Sequence, residues 1–164
     1  MRKVCFLSLT LCAAAFAQTD TVVRWRGMEG VITAPGVDNP VGQIHSGPGP
    51  WTTRDGNARV NLDTGEGSFE VEGLVLNGGA GSGTIGAVTS VVGTLVCNPG
   101  GTGGSPETAI DTPAANLSAA GDAELSFKIN VPAACNKPLF LIRAPNGRWI
   151  ATGTKPAAAS KFHY

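Results

Sequence analysis

The sequence predicts an all-β fold, an antiparallel β-sandwich or partly open barrel of seven to nine short strands with one disulfide. Apolar and polar residues alternate along several short segments, as in strands with one buried face. The 164 residues include 23 glycines and 11 prolines, which interrupt the chain too often for long helices. The hydrophobic fraction of 42% is nevertheless high enough to form a core.

The N-terminus has the pattern of a secretory signal. Arg2 and Lys3 precede an apolar run at 4–16, and Ala15-Phe16-Ala17 is a small-x-small cleavage site. This pattern predicts a secreted or periplasmic protein. The chain is therefore expected to comprise a signal peptide at 1–17, a β-sandwich domain at 18–154 and a C-terminal tail at 155–164.

Charge and hydropathy exclude two classes of partner. The signal holds two of the 12 basic residues and none of the 12 acidic ones, so the remaining chain is slightly acidic. Nucleic-acid binding needs a basic footprint, which this composition does not supply. Beyond the signal, no apolar run approaches the roughly 20 residues that span a bilayer. We therefore expect no nucleic-acid partner and no membrane span.

Two cysteines remain once the signal, with Cys5 and Cys12, is removed. Cys97 and Cys135 in an exported chain are predicted to form a disulfide. Closing a loop of about 39 residues contributes roughly 4 kcal/mol in the chain-entropy treatment. There is no C-x-x-C motif, so the predicted role is structural and not redox-active.

The clearest strand lies at 123–131, where five apolar residues alternate with four polar ones. This alternation is typical of a half-buried antiparallel strand. The apolar face consists of Ala123, Leu125, Phe127, Ile129 and Val131.

A hairpin is predicted around the loop at 64–67. Its expected register places Val60 opposite Val71 and Leu62 opposite Phe69, which keeps the apolar residues on one face. The other face would then pair Arg59 with Glu72.

A second hairpin is predicted around Pro145-Asn146-Gly147, which suits a type I turn with a G1 bulge. Its register would pair Ile142 with Ile150 and Arg143 with Trp149, and the second pair could form a cation–π contact. Less regular strands are expected at 21–26, 31–33, 84–97 and 112–117, with long loops at 34–50, 77–83 and 98–111.

Several motifs that resemble sites have simpler interpretations. Residues 81–86 match G-x-G-x-x-G, but a strand follows them where a nucleotide site needs a helix, which predicts a flexible hairpin loop. The acidic turns at 55–57 and 63–66 resemble fragments of a calcium loop, and ordinary turn chemistry is the favoured interpretation. The sequence predicts no cofactor and no metal.

Three residues are the candidates for ligand contact: Trp51, Trp149 and His45. The two tryptophans, together with Trp25, either cap a small core or lie exposed and stack on sugars or partners. His45 is expected to be a loop histidine. The alternative is a catalytic base oriented by an acidic neighbour such as Asp55.

Seven short stretches of the chain occur in a characteristic order: 26–32, 50–51, 56–60, 71–76, 121–124, 131–138 and 147–153. In this order they resemble a family of small exported bacterial proteins that have a single β-domain and one cysteine pair. The resemblance implies export, a β-fold and a structural cysteine pair, and it carries over no activity and no site residue. A likeness to CHRD domains is weaker, because those domains have paired histidines in a short motif and His45 is the only histidine outside the predicted tail.

These observations favour a non-catalytic exported β-sandwich that acts as a binding or structural module. One alternative is a carbohydrate-binding module that uses exposed tryptophans. A second alternative is a hydrolase that uses His45. The sequence does not identify the partner, and a glycan and a protein are the two kinds that it leaves open.

Overall fold

The computed structural model describes residues 21–155, so the predicted signal and almost all of the predicted tail lie outside the described residues. Eleven strands lie within this range, where the sequence predicts seven to nine. The strands are β1 (Val22–Trp25), β2 (Gly27–Gly30), β3 (Trp51–Thr52), β4 (Asp55–Asn61), β5 (Glu66–Glu72), β6 (Val75–Leu76), β7 (Ser90–Cys97), β8 (Thr108–Asn116), β9 (Ala123–Lys128), β10 (Leu139–Arg143) and β11 (Trp149–Thr154). A short 3₁₀ segment follows β7 at Pro99–Gly104.

Two antiparallel sheets pack face to face, which confirms the predicted all-β class. One sheet has the strand order β1-β4-β5-β9, and the other has the order β2-β11-β10-β7-β8. The chain changes sheet at Arg26, between β1 and β2. A separate two-residue ladder joins β3 to β6. The two strands of this ladder are the ones beyond the predicted seven to nine, and the strand expected at 31–33 is wrong, because β2 occupies Gly27–Gly30 instead.

Aromatic rings fill the space between the sheets. The Phe140 ring centroid lies 5.6 Å from that of Trp25 and 5.9 Å from that of Phe69, which both belong to the opposite sheet. Phe127 and Ile129 are buried, as the alternation at 123–131 predicts. These rings account for much of the apolar burial that stabilises a domain of this size.

The predicted disulfide between Cys97 and Cys135 is confirmed. Cys97 ends β7, and Cys135 lies in the segment that leads to β10. Asn98, next to the disulfide, donates from Nδ2 to the carbonyl of Ala134 at 2.9 Å and accepts from the amide of Asn136 at 2.9 Å. The disulfide and these hydrogen bonds attach the segment before β10 to the end of β7.

The hairpin of β4 and β5 is present, but its predicted register is wrong by four residues. Val60 lies opposite Gly67, not opposite Val71. The reason is local, because the Asn61 side chain accepts hydrogen bonds from two amides of the turn and Gly65 has a positive φ of 71°. This turn closes early and returns Glu66 to the strand. An even shift keeps each side chain on its predicted face.

The C-terminal hairpin has the predicted turn and the predicted pair of Arg143 with Trp149. The expected pairing of Ile142 with Ile150 is wrong, because a bulge in β11 places Ile142 opposite Ala151. The Arg143 guanidinium binds Asp111 at 2.8 Å instead of forming the cation–π contact.

We expect Gly93→Ala to lower the free energy of unfolding by about 1–3 kcal/mol, as overpacking in a core does. A Cβ at Gly93 would lie 2.7 Å from the Phe140 ring and 2.9 Å from the Phe69 ring. Urea denaturation measures the change. Gly49→Ala is the control, since nothing lies within 4 Å of its Cβ position. Equal stability of Gly93→Ala and wild type would contradict the packing described above.

We expect the double substitution of Cys97 and Cys135 by alanine to lower the free energy of unfolding by about 2–5 kcal/mol, because the unfolded chain regains the freedom of the closed loop. Urea denaturation of wild type with and without reductant should give a loss of similar size. A double variant as stable as the oxidised wild type would contradict a stabilising role of the disulfide.

Candidate ligand-binding groove

The long loop between β2 and β3 runs beside β11 and extends the five-stranded sheet. β2 pairs with β11 only as far as Ala151, so the start of β11 has an unpaired edge. Loop residues occupy this edge. Trp149 donates to the carbonyl of His45 at 3.0 Å, and Gly47 donates to the carbonyl of Trp149 at 2.8 Å. The loop at 45–47 is thereby held against the C-terminal hairpin.

His45 lies on this loop and is hydrogen-bonded to Asp38. The bond joins His45 Nδ1 to Asp38 Oδ2. The other oxygen of Asp38 accepts the amide of Ser46 at 2.9 Å and its hydroxyl at 3.3 Å. These bonds favour the charged carboxylate, so the pKa of Asp38 lies below its usual value, chiefly because of the His45 side chain and then because of the Ser46 amide.

The acidic neighbour of His45 is Asp38, not the Asp55 named as the expected example. The hydroxyl of the adjacent Ser46 lies within hydrogen-bond distance of two acceptors, Asp38 Oδ1 at 3.3 Å and the carbonyl of Gly47 at 3.2 Å. Within residues 21–155, no hydroxyl or thiol is hydrogen-bonded to the imidazole of His45. The pair therefore orders the loop around the buried Ser46.

All three tryptophans are buried, which fits the core-capping interpretation. Trp25, Trp51 and Trp149 are 1%, 5% and 7% exposed. The alternative interpretation, in which Trp51 and Trp149 form an exposed stacking surface, is wrong for this reason. The Trp149 indole donates from Nε1 to the carbonyl of Asn39 at 2.8 Å and so holds the loop as well.

Trp51 differs from Trp149 because it lies in the wall of a groove. The groove has a volume of about 340 Å³ and lies between three segments: 47–51, 85–88 and 144–150. Trp51, Leu76, Ile85, Val88 and Ile150 supply most of its large apolar side chains, and Asn146 and Arg148 are the polar side chains that line it.

The glycine-rich motif at 81–86 forms one side of this groove. It lies in the connection between β6 and β7, and no helix follows it, in agreement with the predicted loop. Leu76 makes two backbone hydrogen bonds of 2.8 Å with this loop. It donates to the carbonyl of Thr84 and accepts from the amide of Gly83. The sequence pattern predicts Ile85 and Val88 within a strand at 84–97, but β7 begins only at Ser90, so both residues lie in the loop and line the groove.

The acidic residues of the turns at 55–57 and 63–66 accept hydrogen bonds from the protein itself. Asp55 accepts the amide of Gly56 at 2.7 Å, and Asp63 accepts the hydroxyl of Thr21 at 2.5 Å. In the described part of the chain, no group of three metal-ligating side chains is present. The calcium interpretation of these turns therefore gains no support from the geometry.

In comparisons with known proteins, no family model, no curated protein and no solved structure matches this chain. Among residues 21–155, no helix has the length and apolar character needed to cross a membrane.

We expect Asp38→Asn to reduce the loss of the free energy of unfolding that occurs as the pH falls. Because the folded-state pKa of Asp38 is lowered from 3.8, its carboxylate stabilises the fold above that pH. The contribution is lost as the pH falls through the lowered pKa. Urea denaturation from neutral pH down to about pH 2 should show the curves of wild type and variant converging on the acid side.

Glu29→Gln is the control for this prediction. Glu29 is exposed and makes no hydrogen bond from its side chain within the described residues. Parallel stability curves for Asp38→Asn and wild type across the whole range would show that the Asp38 contacts contribute nothing to folding.

Proposed function

We propose that the protein is a non-catalytic exported binding module whose groove takes a small apolar ligand. The observation that carries this proposal is the apolar lining of the groove formed by the segments at 47–51, 85–88 and 144–150. Export depends on the predicted signal at 1–17, and the resemblance to exported bacterial proteins is consistent with it.

The size and lining of the groove suit a small molecule. Ligand sites typically enclose about 300–1,000 Å³ and combine apolar walls with a few polar groups. At about 340 Å³ the groove is near the lower end of that range, so it accommodates a short hydrocarbon chain or one end of a longer molecule. Burial of the ligand's apolar surface supplies the binding free energy.

Backbone hydrogen bonds fix the walls before any ligand binds. Gly36 donates to the carbonyl of Pro48 at 2.9 Å, and Asn77 donates to the carbonyl of Pro50 at 2.9 Å. Both prolines lie in the segment that leads to Trp51. A wall held in this way loses little conformational freedom on binding, which lowers the cost of association.

Contrast with the rest of the surface supports the choice of this groove. On the outer face of the four-stranded sheet, hollows are lined mainly by polar side chains such as Asn57, Ser68, Glu70 and Glu124. Asn57 already donates to Glu70 at 3.2 Å. Such a face is well solvated, and covering its polar groups with an apolar ligand would cost free energy.

Sugar binding and hydrolysis have less support. A sugar-binding face needs an exposed aromatic ring, and the Trp51 and Trp149 rings are buried. Hydrolysis by His45 needs a nucleophile within reach of the imidazole, and the adjacent Ser46 is engaged by Asp38.

The proposal is tested by titrating the purified protein with octanol, an apolar probe, and by measuring NMR chemical shifts at each concentration. We expect saturable shifts confined to the three groove segments. Gly49→Trp should weaken binding by at least about tenfold, because Gly49 lines the groove and a large ring there takes up space that the ligand needs.

Ala109→Trp is the matched control, because Ala109 is exposed on β8 at the far edge of the same sheet. It should bind octanol as wild type does. Absence of saturable shifts in wild type, or equal affinity in Gly49→Trp, would overturn the proposed function.

A further inference from the structure

We infer that the groove selects apolar ligands that carry a carboxylate, and that Arg148 binds this group. The inference rests on the proposed function, since it names the class of molecule that the same groove takes. A short-chain or medium-chain fatty acid has this chemistry, with a hydrocarbon body for the apolar walls and an anionic end for the guanidinium.

Arg148 is the one ionisable side chain among the described residues that line the groove. Across residues 21–155, no carboxylate lies within 4.0 Å of its guanidinium. By contrast, Arg143 binds Asp111 at 2.8 Å and Arg54 binds Glu72 at 2.9 Å. The charge of Arg148 is therefore available to a ligand.

The Arg148 guanidinium is held in place by its surroundings. Its Nη1 donates to the carbonyl of Ser46 at 2.8 Å. Ser46 is buried and is itself bound by Asp38 at its amide. One N–H of the guanidinium is used in this way, and the other donors can bind a carboxylate. A charge already held in place loses less entropy on binding than a freely moving side chain.

Two other side chains of the groove, Trp51 and Asn146, have N–H groups that can also donate. Trp51 makes no hydrogen bond from Nε1 within the described chain, and its Nε1 lies 3.6 Å from the Cβ position of Gly47, another groove residue. Asn146 uses Oδ1 to accept the amide of Arg148 at 3.1 Å, which leaves its Nδ2 to donate. Unused N–H groups beside a guanidinium suit an acceptor such as a carboxylate and disfavour an ammonium ion.

Three probes of equal chain length separate the charge from the hydrocarbon: octanoate, octanol and octylamine. In wild type at low salt, we expect octanoate to bind about fivefold to tenfold more tightly than octanol, and octylamine to bind more weakly than octanol. High salt should reduce the difference, because the site is open to solvent. The Trp51 indole N–H resonance should shift with octanoate.

Arg148→Met keeps much of the side-chain stem and removes the charge. It should bind octanoate no more tightly than octanol. Arg24→Met is the matched control, since Arg24 is exposed on β1 in the other sheet. It should keep the wild-type preference. Circular dichroism confirms that each variant is folded.

The outcomes separate the two proposals. If octanol and octanoate bind wild type equally well at the groove, the carboxylate inference is overturned while the apolar groove stands. If none of the probes binds, the proposed function fails. If Arg148→Met does not fold, the wild-type comparison decides alone, and octylamine binding as tightly as octanoate overturns the inference.

Discussion

The groove depends on the unpaired edge at the start of β11. β2 ends at Gly30, opposite Ala151, so the first residues of β11 have backbone groups without a strand partner. The loop supplies hydrogen-bond partners for these groups: Val31 donates to the carbonyl of Ile150, and Gly47 donates to the carbonyl of Trp149. Because unpaired backbone groups are costly to bury, this edge fixes the path of the loop. The loop then brings Pro48 and the following residues over the hairpin.

Local pattern was sufficient to predict part of the fold. The period-two alternation at 123–131 identified a strand whose Phe127 and Ile129 face the core, and the two cysteines outside the predicted signal left one pairing. Registers were harder to predict. The β4–β5 turn depends on the side chain of Asn61, and face chemistry alone does not separate registers that differ by an even number of residues. The β11 bulge shifts the pairing of Ile142 by one residue, which the alternation pattern did not indicate.

The groove could not be predicted from any one stretch of sequence, because its walls come from segments at 47–51, 85–88 and 144–150. Trp51 was a candidate contact, and it does line the groove, but it is buried rather than presented on an exposed loop. Trp149 and His45 hold the loop through Asn39 and Asp38. Asp38, the partner of His45, had no sequence pattern to mark it, since a pairing between loop residues depends on the folded path.

Glycine and proline explain how a loop without regular structure forms a defined wall. A side chain at Gly47 would approach Ile150 to 3.2 Å, so glycine permits the close approach of loop and hairpin. Pro48 and Pro50 restrict the backbone on either side of Gly49, which reduces the entropy lost when the loop is ordered. Their carbonyls accept hydrogen bonds from Gly36 and Asn77. The glycines and prolines that interrupt the strands therefore also determine the shape of the groove.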